Sequence, residues 1–210
     1  MLKIYGTVRS RAARTIWMAE ELGIPYELVA VDYRARETRT PAFLEINPNG
    51  HVPAIDDDGL RLHESMAINL YLARRHAGSP LSPQDVREEG VCLSWSFWAV
   101  TELESNALTV LVQGQALPPE QRDAQKLARA TGALRPPLAV LEKKLAAGAR
   151  QGYLLGERFT VADLNIAAVL AWVRAAPELL QEYPAVSAWL ALCLGREAYR
   201  RIEAMRLAVA

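Results

Sequence analysis

Leu2-Lys3-Ile4-Tyr5 alternates apolar and polar positions, as a half-buried strand does. From Ser10 the period changes: Ala13, Ile16, Trp17 and Leu22 recur at helical spacing, and Gly23 supplies a stop. Tyr26 to Val31 reads as a second strand. Strand, helix and strand within about thirty residues form a βαβ unit, which favours a parallel pair with a right-handed crossover. Residues 34–40 are polar and expected to be exposed, and Pro41 to Ile46 is a short helix or turn. Asn47-Pro48-Asn49-Gly50 is dense turn chemistry, because Pro48 fixes φ while Asn49 and Gly50 tolerate positive φ. His51 to Ile55 can be extended, but Pro53 cannot donate to a ladder, so this strand is short or at an edge. Asp58-Gly59 reverses the chain into Leu60 to His63, and Glu64-Ser65 opens a helix carrying Met66, Ile68, Leu70, Tyr71 and Leu72. The first 76 residues therefore read β-α-β-α-β-β-α.

Residues 77–83, Ala-Gly-Ser-Pro-Leu-Ser-Pro, form the clearest linker. Residues 84–210 have helical period throughout, so two domains are expected: 1–76 and 84–210. Val86 to about Gln113 is one long helix, with Leu93, Phe97, Val100, Leu103, Leu108 and Val112 at helical spacing. Leu117-Pro118-Pro119 breaks it. A second runs from Glu120 to Leu145, where Pro136-Pro137 is expected to kink or interrupt it. Gly148 to Gly156 is a loop, a third helix extends to Val173, a fourth spans Pro184 to Leu194, and Gly195 precedes a short last one.

Composition narrows the function classes. With 51% apolar and 23% charged residues, the 210-residue chain is globular and long enough to bury a core. Formal net charge is zero, which gives no reason to expect nucleic acid or an anionic membrane. No apolar run approaches the ~20 residues needed to span a bilayer, and Arg9, Arg11 and Arg14 arrive too early for a signal peptide. Cys92 and Cys193 lie in helical patterns, form no CxxC, and read as buried thiols of a reducing compartment. Three His and two Cys at unrelated spacings argue against a metal site.

Three places permit chemistry. Ser10 stands where strand becomes helix; it reads either as an ordinary N-cap or as a hydroxyl that donates to a ligand thiolate. A hydrogen bond to a charged group contributes roughly 1.5–3 kcal/mol, which lowers a thiol pKa by roughly one to two units from ~8.5. The helix dipole acts in the same direction. Glu64-Ser65 reads either as the acidic start of a helix or as a zwitterion clamp, with Ser65 binding a carboxylate and Glu64 an ammonium group. Val52-Pro53, if cis, would turn the Val52 N–H and C=O outward to pair with an extended ligand, as an added strand does.

Tyr5-Gly6, Ser10 with Arg14, NPNGHVPAI, ESMAINLYLA, the linker and FTVAD occur in the order of the cytosolic glutathione transferases, which the whole chain resembles. It looks closest to bacterial members related to the serine-using theta-like and the beta classes. The resemblance implies a thioredoxin-like α/β N-terminal domain, an all-α C-terminal domain, a cis peptide at Val52-Pro53, a homodimer, cytoplasmic localisation and a role in detoxification. It implies glutathione as co-substrate, with no metal. Carried over by position, Ser10 is the activating serine. His51 contacts the glycine end, Val52 pairs backbone to backbone ahead of Pro53, and Glu64 and Ser65 hold the γ-glutamyl end. Tyr5 matches the position of the catalytic tyrosine only loosely; it reads as a strand residue or, with its hydroxyl near the sulfur, as a glutathione-binding one. From the residues themselves, Arg11 reads either as solvated charge or as steering for an anionic second substrate, and Trp98 either as core or as a wall of the second-substrate pocket, while Thr160-x-x-Asp163 is a structural capping box. The activity implied is conjugation of the glutathione thiolate to small apolar electrophiles. Alternatives are a glutathione-dependent isomerase or dehalogenase, or a non-enzymatic binding protein on the same fold.

Overall fold

The computed structural model describes residues 1–148 and 152–208. In chain order its elements begin with β1 (Leu2–Tyr5), α1 (Ala12–Leu22), β2 (Tyr26–Val29) and α2 (Pro41–Ile46). β3 (Ala54–Asp57), β4 (Leu60–His63), α3 (Ser65–Arg75), α4 (Val86–Trp98), α5 (Glu104–Leu111) and α6 (Ala124–Ala147) follow. The chain closes with α7 (Val161–Leu170), α8 (Pro177–Gln181), α9 (Pro184–Leu194) and α10 (Glu197–Ala208). These sort into two compact units, Met1–Pro83 with the chain from Arg196, and Gln84–Gly195.

In the first unit the four strands lie in the order β2-β1-β3-β4. β1 runs parallel to β2 and antiparallel to β3, which is antiparallel to β4. Ile4 stands between Leu28 and Ile55 and is fully buried. Alternation sends Leu2 and Ile4 to one face and Tyr5 to the other. α2 covers the Tyr5 side, where Val31, Phe43 and Ala54 form a small core with Tyr5, Ile46 and Val52 at its edge. Residues Ala12 to Ala19 of α1 are all buried, and α1 packs on α3. β3 starts at Ala54 rather than at His51, because a proline at 53 has no N–H to give the ladder. The polar stretch after β2 contains a 3₁₀ turn at Glu37–Arg39 with Thr38 buried inside it. The expected linker is anchored rather than free: Leu81, Ser82 and Pro83 are buried.

α10 belongs to this unit, whereas the sequence reading placed 84–210 together; residues 209 and 210 lie outside the described ones. The reason is chemical. Tyr199 meets Trp17 of α1 edge to face, ring centres 4.8 Å apart. Arg196 forks onto Glu21 with two contacts of 2.7 Å, and Arg201 Nε reaches Glu20 at 2.6 Å.

The second unit is helical. The long helix expected from 86 to 113 is α4 and α5 joined through a π-helical turn at Ala99–Leu103, with another π turn at Val112–Ala116. Pro136 and Pro137 sit inside α6, which continues through them to Ala147. The preceding-turn residues Gly132 and Ala133 are small, and buried Leu134, Leu138 and Leu141 hold the segment helical by packing, which outweighs the lost bonds. α7 is buried along its whole length. α8 was not expected from the pattern; it is five residues long and starts on Pro177. Of the expected 148–156 loop, residues 149–151 lie outside the described residues, and Tyr153 pairs with Gly156. Cys92 and Cys193 are both buried in this unit.

Candidate functional site

The turn before α1 is built by Ser10 itself. Its hydroxyl donates to the Thr7 carbonyl at 2.8 Å and accepts from the Ala12 N–H at 3.1 Å and the Thr7 N–H at 3.3 Å. Ser10 therefore satisfies one orphan amide of the helix start while remaining half-buried. The capping reading of this serine is thus seen directly, and its single proton rests on the Thr7 carbonyl.

Gly6 brings this turn against the next part of the site. Its φ is +134°, and a Cβ there would lie 2.6 Å from the Ala12 Cβ and 3.2 Å from both Ser10 Oγ and Val52 Cβ. The Ser10 oxygen and the Val52 side chain consequently flank one glycine, and any other residue would wedge them apart. The Val52–Pro53 peptide is cis. Among the described residues the Val52 N–H and C=O make no hydrogen bond.

Asn47 shapes the approach to Val52. Its side-chain amide donates to the His51 carbonyl at 2.8 Å and its side-chain oxygen accepts from the Asn49 N–H at 3.1 Å. His51 is exposed at the end of this turn. Beside it runs Arg39, whose Nη1 donates to the Asn49 carbonyl at 3.1 Å and crosses Gly50 so closely that a Cβ there would lie 2.6 Å away. A cation thus stands at the His51 end of the site. The sequence reading missed it, because Arg39 lay in a stretch read only as polar.

Ser65 begins α3 and is buried, at 6% exposure. Arg14, on the first turn of α1, donates from Nη1 to Ser65 Oγ at 3.3 Å. Asn69 of α3 donates back to the Arg14 carbonyl at 3.4 Å. These bonds tie the starts of α1 and α3 together, so the positive ends of two helices serve one site. With its oxygen taken by Arg14, the Ser65 hydroxyl keeps its proton for an incoming acceptor. Glu64, whose side chain is 73% exposed, has φ 69° and ψ 109°, a conformation that costs a non-glycine residue.

The remaining expected residues are Tyr5, Arg11 and Trp98. The Tyr5 ring packs edge to face on Phe43, 6.2 Å between centres, at the edge of the core under α2 that Val52 also borders. Arg11 is exposed at the residue after Ser10. Trp98 belongs to the second unit, half-buried on α4 and T-stacked with Trp95 at 5.0 Å. Among the described residues no group of His, Cys, Asp and Glu is arranged to hold a metal ion. No helix of the described residues is long and apolar enough to cross a membrane.

Residues 1–74 match the family model for the glutathione S-transferase N-terminal domain, and residues 103–197 match that for the C-terminal domain. A probable glutathione S-transferase of rice, GSTF2, is 30% identical over 97% of this chain and 96% of its own. Mouse glutathione S-transferase theta-3 is 31% identical over 90% of this chain and 80% of its own. The structure of glutathione S-transferase I from maize in complex with an atrazine glutathione conjugate superimposes with a TM-score of 0.86 at 29% identity, covering 100% of this chain and 99% of that one. The α/β unit with its cis-proline edge, the helical unit and these matches across the full length lead to one conclusion: the chain belongs to the glutathione S-transferase family.

Proposed function

We propose that the protein conjugates the thiolate of glutathione to small apolar electrophiles, and that the first unit binds the tripeptide extended along the Val52 edge. The observation that supports this is the convergence of Ser10, the Val52 backbone and Ser65 through Gly6 and Arg14. In this reading the cysteinyl backbone of glutathione pairs with the Val52 N–H and C=O, in the manner of an added strand. The γ-glutamyl carboxylate meets the Ser65 hydroxyl and the first amides of α3, and Glu64 takes the ammonium group. The glycine carboxylate is held by His51 and Arg39.

Ser10 then turns its proton from the Thr7 carbonyl to the sulfur. Two N–H donors on its oxygen polarise the hydroxyl and make it a better donor. Because an existing neutral bond is exchanged for a charged one, the net gain is about 1 kcal/mol, close to one pKa unit. The dipole of α1 adds to it. The thiolate is the nucleophile, and a serine that merely donates need not ionise.

Arg11 and Trp98 are each proposed as contacts of the electrophile, to be replaced one at a time. A homodimer is supported by an apolar stripe on α4 and the turn after it: Leu93, Phe97 and Val100 are 40%, 64% and 36% exposed on one helical face. Cytoplasmic residence is proposed with it, the two cysteines lying buried in the helical unit.

Ser10→Ala decides the central role. It is expected to raise the apparent pKa of bound glutathione by about one unit and to lower kcat/KM about tenfold near neutral pH. A variant that keeps the full rate at neutral pH would remove Ser10 from the mechanism.

A further inference from the structure

The turn that carries Ser10 is held from outside by the far end of the chain. Arg206, near the C-terminal end of α10, donates from Nε to the Val8 carbonyl at 3.0 Å. Arg9 donates back from Nη2 to the Arg206 carbonyl at 3.4 Å. Val8 is buried and lies between Thr7 and Ser10, the two residues whose bonds close the turn. The Val8 peptide is therefore fixed in the middle of the turn by a cation from the other end of the sequence.

Arg206 is itself well held. On α10 it pairs with Glu203, hydrogen-bonds to the Tyr199 hydroxyl at 3.4 Å, and lies 6.0 Å from the centre of the Tyr199 ring. Tyr199 stacks on Trp17 of α1, and Trp17 Nε1 donates to Glu21, the partner of Arg196. Arg196 meets the C-terminal end of α1, while Arg206 meets the loop before its N-terminal end. α10 thus runs antiparallel to α1, and its twelve residues match the eleven of α1 in length. A strap of this length brings Arg206 to the Ser10 turn and no further.

We propose that Arg206 is a positioning residue for the sulfur-activating turn: by holding the Val8 carbonyl it sets the orientation of the Thr7–Ser10 turn, and its guanidinium adds positive potential where the thiolate forms. The inference rests on the assignment of Ser10 above. The charged and titratable groups facing Arg206 are Glu203 and Tyr199 on α10 and Arg9 on the turn. Glu203 offsets part of the charge, so orientation of the Val8 peptide carries the larger share. Nothing in the local sequence around Ser10 requires this contact, which joins residues 198 positions apart.

The test is the pH profile of kcat/KM for glutathione, together with the ultraviolet thiolate absorbance of the bound tripeptide, in wild type, Arg206→Ala, Arg206→Lys and Arg201→Ala. Arg201→Ala removes two other bonds of α10 to α1, both at Glu20 and away from the turn. Arg206→Ala is expected to move the profile to higher pH by about half a unit, which is about a threefold loss on the acid side. Arg206→Lys is expected to lie between it and wild type. Arg201→Ala is expected to lower thermal stability and leave the profile in place. An Arg206→Ala profile superimposable on wild type overturns the inference, as does an equal shift in Arg201→Ala, which would mean general loosening of α10. A wild-type protein that does not ionise glutathione would instead overturn the assignment of the site, and this inference with it.

Discussion

At the scale of single residues, Glu64 sets the proposed ammonium contact against stability. Its backbone, at φ 69° and ψ 109°, costs roughly 1–3 kcal/mol for any residue with a Cβ. Among the described residues its exposed carboxylate has a 4.0 Å contact to His63 to lose. Glu64→Gly is therefore expected to stabilise the protein by about 1 kcal/mol, part of the relief being offset by the flexibility of the unfolded chain. The same change is expected to weaken glutathione binding, because the ammonium partner is gone. Denaturant midpoint and calorimetric affinity should move in opposite directions; a fall in both would mean that the side chain supports the fold more than the ligand. Ser10 and Ser65 were legible at this scale, since helix starts carry local chemistry. Arg14 was legible only as a companion of Ser10, because its partner Ser65 lies 51 residues away. Arg39 was not legible, since its place across Gly50 depends on how the turn at 47–51 folds back.

At the scale of elements, α7 shows how strongly one helix start can be fixed. Asp163 accepts from the Thr160 N–H and hydroxyl at 3.0 Å, from the Leu154 N–H at 2.9 Å and from the Trp189 indole at 2.9 Å. Burial pushes its carboxyl pKa up, and these four donors pull the other way. The capping pattern was visible in Thr160-x-x-Asp163, but the bonds to Leu154 and Trp189 were not. Asp163→Ala would leave several buried donors unsatisfied and is expected to cost about 3 kcal/mol or more, read from urea unfolding. A loss below about 1 kcal/mol would mean that the box is no more than an ordinary cap. In α6 local propensity failed the other way. Pro136-Pro137 argued for a break, and the packing of Leu134, Leu138 and Leu141 kept the helix whole.

At the scale of the whole molecule, the first unit is made of two pieces of chain, residues 1–83 and the chain from Arg196. A protein ending at Gly195 would uncover Trp17 and lose the burial of Tyr199 and Ile202, which are 4% and 0% exposed. At about 1.5–3 kcal/mol for each large side chain, the loss is about 3–6 kcal/mol, a large share of the 5–15 kcal/mol typical of a domain. The shortened protein is expected to unfold at markedly lower urea; an unchanged midpoint would show α10 to be an ornament on the unit. Read along the chain, period, turn residues and helix starts determined the order of the four strands and of the helices among them through α3, because each of these follows from contacts within a few positions. Tertiary structure alone decided that α10 returns to α1, that Arg39 stands beside His51, and that Arg14 and Arg206 hold the two serine-bearing turns. Those partners lie far apart in sequence, and only the folded backbone brings their charges within hydrogen-bonding distance.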